Sequence, residues 1–134
     1  MMQVLMLYTV TVGVFLGLDI LGINYLVRPV FERHVGHLLA SPLRLGPAAI
    51  FYLAYVGGLL WFVSLPALKE SAPLNALWGG MLLGFMCYGT YEMTNYATLQ
   101  DWSLRQVAVD LAWGTSLTGF SAWAGVAALT GKLS

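Results

Sequence analysis

The sequence predicts an all-α, polytopic membrane protein, a four-transmembrane-helix bundle with a short interfacial helix between helices 1 and 2. Composition is the first observation behind this. Hydrophobic residues make up 59% of the 134-residue chain and charged residues only 9%, against roughly 25% charged in a soluble domain. The mean hydropathy of +0.76 agrees with it. Lastly, apolar stretches of about 20 residues, the length that crosses a bilayer core as a helix, recur along the chain between short connections. A chain so poor in charge cannot cover a water-facing surface. Long unbroken runs with short connections also favour helices over strands, because a lipid-embedded segment must satisfy its own backbone.

The first helix is expected over residues 3–27, stopping before Arg28-Pro29, because proline lacks the amide N–H that an interior turn uses. It has no basic start and no small-x-small cleavage site, and it runs too long for a signal peptide, so it reads as a retained helix. The second is expected over residues 46–66, ending at Pro66. The third, over residues 73–99, starts at Pro73, a residue suited to a first helical turn. The fourth, over residues 104–129, follows Ser103-Leu104-Arg105-Gln106, which matches a capping box. Residues 1–134 then form one integral membrane domain. In the longest connection, residues 28–45, Phe31, Val35, Leu38 and Leu39 share a helical face, and Glu32, Arg33, His34 and His37 lie largely off it. That pattern predicts the short helix in the membrane interface.

Basic residues near helix ends set orientation. Arg28, Arg33, Arg44 and Arg105 lie at the first and third connections, and Lys69 and Lys132 on the other side. Loops 28–45 and 99–103 are therefore expected in the cytoplasm and both termini outside, in a bacterial inner membrane. Trp61, Trp78 and Trp123 fit an outer interfacial belt and Trp102 an inner one. The formal net charge of +0 offers no field for nucleic acid. No phosphate-binding glycine loop, serine–histidine–acid set or nucleotide fingerprint occurs, so no cofactor is assigned.

The chemistry is concentrated at one depth. Three of the six acidic residues, Asp19, Glu92 and Asp110, fall inside apolar runs, where a charge costs about 2.5–3.5 kcal/mol on insertion scales. Counted from the same ends of their helices, they lie roughly 9–12 Å deep at 1.5 Å per residue, so the carboxyls can share one layer. With no base among them they cannot all be neutralised by pairing, and at least one is expected to be protonated. On helix 3, Gly80, Gly84, Tyr88, Tyr91, Glu92 and Asn95 form a stripe. On helix 4, Asp110, Gly114, Thr118 and Ser121 form another, with Trp113 beside Asp110. Tyr52 and Tyr55 on helix 2 and Asn24 and Tyr25 on helix 1 lie in the same half.

Together these predict a ligand-binding polar site of Asp19, Glu92, Asp110, Asn95, Tyr88, Tyr91, Trp113, His37, Asn24 and Tyr52. The structural alternative is a buried network that fixes helix register. Ionisable groups inside a membrane favour the site. His34 and His37, three residues apart, offer a weak alternative as ligands of a metal such as zinc, iron or manganese. Gly13-x-x-x-Gly17 and Gly80-x-x-x-Gly84 read as internal packing sites rather than dimer seams. Cys87 reads as a small packed hydrophobe.

Several of these residues carry a resemblance. Phe15-x-x-x-Asp19, Gly36-His37-Leu38-Leu39, Phe51-Tyr52, Pro66-Ala67-Leu68, Tyr88-x-x-Tyr91-Glu92-x-Thr94-Asn95-x-Ala97-Thr98-Leu99 and Asp110-x-x-Trp113-Gly114-Thr115 make nearly the whole chain similar to a family of small bacterial four-helix membrane proteins, domain of unknown function 2177. That family usually has Asp where this chain has Glu92, which reaches about one methylene further. The resemblance brings no assigned activity. It implies a connection with membrane lipids, through neighbouring genes of lipid modification, and its signature residues coincide with the polar layer.

Three functions remain open from sequence. One is a protein that binds a small molecule or lipid, with proton-coupled transport as one form of it and a homodimer or larger membrane complex as its assembly. Another is a membrane enzyme of lipid modification, with carboxyls as general acid and base. The last is a structural or accessory subunit without activity of its own. The partner expected in each is membrane lipid.

Overall fold

The computed structural model describes residues 1–134. It is all-helical, with four continuous helices: α1 (Met2–Leu38) and α2 (Leu45–Lys69), α3 (Pro73–Thr98) and α4 (Leu104–Thr130). Both α1 and α2 are long and apolar enough to cross a membrane. The helices α3 and α4 have 26 and 27 residues, about 40 Å at the usual helical rise.

Helix α1 departs from expectation. It does not stop before Arg28-Pro29, and no separate interfacial helix follows. A π-turn over Ile23–Val27 leads directly into α-helix Arg28–Val35, and a 3₁₀ turn, Gly36–Leu38, closes the element. Helix α2 passes its own proline in the same way, with a π-turn at Leu60–Ser64 followed by α-helix Leu65–Lys69, so it ends past Pro66. In both cases the proline is the second residue after the π-turn. A proline inside a helix has no N–H to give and its ring crowds the carbonyl one turn back. Widening the preceding turn relieves that crowding without ending the helix. The amphipathic pattern of residues 28–39 survives in part: Val35 is buried and Phe31 packs edge-on against Trp102, whereas Leu38 is exposed.

The starts of α3 and α4 follow the sequence. Pro73 occupies the first turn of α3. Ser103 caps α4 as a full capping box: the Gln106 N–H donates to Ser103 Oγ at 3.0 Å, and the Ser103 N–H donates to Gln106 Oε1 at 2.8 Å. Gly131 ends α4 in the left-handed conformation at φ 70°, where glycine has no Cβ penalty.

Helices α3 and α4 share the most extensive interface, and α1 packs next against α4. Glycine makes the α3–α4 seam close. A Cβ at Gly80 would meet Gly119 Cα at 2.9 Å, and one at Gly84 would meet the Gly114 carbonyl oxygen at 2.6 Å. Gly80-x-x-x-Gly84 is thus an internal packing site. Gly13-x-x-x-Gly17 is not: both glycines are exposed, with nothing near their Cβ positions. Gly84→Leu should lower stability by about 1–3 kcal/mol through overpacking, seen as an earlier thermal transition in detergent; an unchanged transition would mean that the seam is loose. The apolar core joins Leu7 and Phe15 of α1 to Val56, Leu59 and Leu60 of α2 and Leu117, Ala122 and Val126 of α4.

Candidate functional site

Beside this core lies a cavity of about 510 Å³. One face of α1 contributes Asp19, Ile23, Val27 and Phe31 at four-residue spacing, a stripe unbroken through the π-turn. Helix α2 adds Ala48, Phe51, Tyr52 and Tyr55; α3 adds Cys87, Tyr88 and Tyr91; α4 adds Asp110 and Trp113. Leu39 and Leu43, from the segment joining α1 to α2, and Arg28 complete the lining.

The three intrahelical acids are all buried: Asp19 is 4% exposed, Glu92 0% and Asp110 8%. Each has a defined surrounding. The Trp113 Nε1–H donates to Asp19 Oδ1 at 3.2 Å, and the Tyr52 side chain lies near the Asp19 carboxyl. The Trp102 Nε1–H donates to Glu92 Oε1 at 2.9 Å. The Glu92 and Asp110 carboxyls lie within hydrogen-bonding reach of each other, and Asp110 is near enough to Asp19 for their charges to interact. Such donors matter because a carboxylate buried without a partner is strongly disfavoured.

Close approach of the backbone seats the aromatic members. A Cβ at Gly22 would overlap the Trp113 indole, and a Cβ at Gly114 would overlap the Tyr88 ring. Glycine at these two positions therefore lets Trp113 reach Asp19 across from α1, and lets Tyr88 lie flat against α4. The Tyr55 hydroxyl shares a hydrogen bond of 2.9 Å with Thr118 Oγ1, and its ring meets Phe15 edge-on. The Tyr88 hydroxyl and Glu92 Oε2 are buried without a partner.

The residues expected at the site are thus divided. Asp19, Tyr52, Tyr88, Tyr91, Asp110 and Trp113 come together around the cavity. Glu92 lies behind them, against Trp102 and Asp110. Asn95 is one turn further along α3 and contacts Tyr91. Asn24 is exposed and outside the lining. His37 is outside it too, with Nε2 3.3 Å from Asp101 Oδ2, so it ties the end of α1 to the turn between α3 and α4. His34 Nε2 is buried without a partner. No three His, Cys, Asp or Glu side chains are grouped as metal ligands, so the two histidines and the carboxyls do not combine into a metal centre. Cys87 is not packed away as expected but exposed, on the cavity wall.

Sequence reasoning missed Phe31, Leu39, Leu43, Ala48 and Phe51 as lining, and Trp102 as the donor to Glu92. The four-residue spacing from Asp19 to Phe31 was a usable signal for the first of these, hidden by treating Pro29 as a stop.

Only 27 of the 134 residues are buried, so most of the apolar side chains face outwards. Ile50 at 72% exposure, Trp61 at 72% and Phe62 at 70% are among the most exposed. An all-helical chain with an apolar exterior and a carboxylate layer inside is a membrane protein. It belongs to the family described as predicted membrane protein (DUF2177), whose model matches residues 4–127. No curated protein and no solved structure matches the chain.

Proposed function

We propose that the protein is a multi-pass membrane protein whose four helices all span the bilayer and whose cavity binds a small amphiphilic molecule or lipid. Arginines at the α1–α2 connection and at the start of α4 face the cytoplasm in this reading, both termini lie outside, and the membrane is a bacterial inner membrane. The observation that carries the proposal is the lining of the cavity. Thirteen of its sixteen lining residues are hydrophobic, yet Asp19 and Asp110 both face it. An apolar site of this size with a few convergent polar groups is the usual form of a small-molecule pocket. The apolar walls favour a hydrocarbon portion, and the carboxyls fix a group that donates hydrogen bonds or carries charge. A proton shared by Asp110 and Glu92 would make occupancy respond to proton supply.

The register-fixing role is supported for one residue. Glu92 is fully buried, bonded to Trp102 and absent from the lining, so it braces Asp110 rather than meeting a ligand.

Ala48 is exposed and lines the cavity, so Ala48→Trp fills the space without disturbing the core. Mass spectrometry of the purified protein should find a retained amphiphile on the wild type and about tenfold less on Ala48→Trp, the equivalent of about 1.4 kcal/mol. Equal retention by the two, or a wild type that retains nothing, would overturn the proposal.

A further inference from the structure

We infer that the cavity selects a lipophilic cation, an apolar body bearing a substituted ammonium group, over neutral and anionic amphiphiles. This rests on the amphiphile-binding reading above and adds the sign of the head group.

The charge around the cavity is one-sided. Asp19 and Asp110 line it and Glu92 stands directly behind Asp110. The donors that reach these acids, the indoles of Trp113 and Trp102, and the nearby Tyr52 side chain are all neutral. The one basic residue in the lining, Arg28, is already engaged: its Nε donates to Glu32 Oε1 at 2.6 Å, and the pair is half exposed. Arg28 lies nine positions after Asp19, about 13.5 Å along a helix. Arg28 therefore stands at the rim and leaves the inner carboxyls without a cation. An anionic head group would meet two acids in an apolar enclosure, where like charges repel strongly.

The rest of the wall suits a soft cation. Tyr52, Tyr55, Tyr88, Tyr91, Phe51 and Trp113 all border the cavity. Aromatic faces attract ammonium groups through their quadrupoles, and a set of them around one cation is how quaternary ammonium ligands are recognised. A small hydrated metal ion would gain nothing from such walls. An alkylammonium, already weakly hydrated, gains both the carboxyl charge and the ring faces, while its chain lies along Ile23, Val27 and Phe31.

The test compares one tail with three heads. Protein purified in an uncharged maltoside is immobilised and loaded with tritiated decyltrimethylammonium, with the Ala48→Trp variant as background. Unlabelled decyltrimethylammonium, decanol and decyl sulfate then compete. The cation should displace the label at about tenfold lower concentration than decanol, with decyl sulfate weakest, a difference of about 1.4 kcal/mol or more. Asp110→Asn should bring the cation to within about threefold of decanol, and Asp110→Glu should restore the preference. If decyl compounds compete without regard to head group, the cation inference fails and the amphiphile site stands. If no compound displaces a saturable fraction of the label, both fail. The head-group order is read on the wild type alone, so the inference is testable even if the Asp110 variants do not fold.

Discussion

Gly114→Ala should be among the most damaging single methyl groups that can be added to this protein. In a solvent-exposed helix the same change gains about 1 kcal/mol, because alanine has the higher helix propensity. Here the new Cβ would stand far inside van der Waals contact with Tyr88 Cγ. Overpacking of this kind costs about 1–3 kcal/mol and sometimes more, so the steric term outweighs the propensity gain and reverses its sign. The ring can yield only towards the cavity that it borders. Its other side faces Tyr55, with centroids 6.3 Å apart, and the neighbouring Gly84 is itself pressed against the Gly114 carbonyl. The expected result is a destabilisation of about 3 kcal/mol, measured by thermal or SDS unfolding in detergent. Tyr88→Ala should relieve it specifically: the double variant should be more stable than the sum of the single changes, with a coupling of about 1–3 kcal/mol. A Gly114→Ala protein as stable as wild type would mean that Tyr88 has another rotamer open to it, and that the cavity wall at this point is soft.

How much of this arrangement was legible in the sequence depends on what kind of quantity each feature is. Helical spacing and distance from a helix end are one-dimensional. They sufficed to group Asp19, Tyr52, Tyr88, Tyr91, Asp110 and Trp113, which the structure brings around one cavity. They sufficed for the capping box at Ser103 as well, because capping is local. Rotation of a helix about its own axis is a different matter. Gly13 and Gly17 have the same spacing as Gly80 and Gly84, but only the second pair meets another helix. An apolar stripe cannot tell lipid from a neighbouring helix, because both are apolar. Asn24 fails for the same reason, being at the right depth on the wrong side. The prolines misled differently. The missing N–H of Pro29 and Pro66 predicts a stop at each, and the chain instead absorbs each with a π-turn. Carrying α1 past Pro29 is what brings Phe31 to the cavity and His37 to Asp101. The partner of Glu92 was legible only in kind: a fully buried carboxyl needs a donor, but nothing local to Glu92 singles out Trp102, ten residues away.

Trp102→Phe should be more damaging than its small change in volume suggests. Trp102 makes edge-on contacts with Phe31 at 5.4 Å and Tyr91 at 5.9 Å, and a phenyl ring keeps much of that packing. What it removes is the N–H that donates to Glu92 Oε1. Glu92 is 0% exposed and its second oxygen has no partner, so the substitution leaves a buried acid beside Asp110 with no donor from the rest of the protein. Removing one partner of a buried hydrogen bond costs about 1–3 kcal/mol, more when the group left behind is charged, whereas replacing both partners by apolar groups of the same shape can be nearly neutral. Hence an order opposite to simple additivity is expected: Trp102→Phe alone should be less stable than Trp102→Phe combined with Glu92→Met, although the double variant has lost more native atoms. The expected gap is about 1–3 kcal/mol, the desolvation penalty of an unsatisfied buried group, read by SDS or thermal unfolding in detergent. The double variant also frees Asp110 from its acidic neighbour, which acts in the same direction. A double variant less stable than Trp102→Phe would show that the Glu92 carboxyl finds water or another donor when the indole is gone, and that the layer behind the cavity is wet rather than braced.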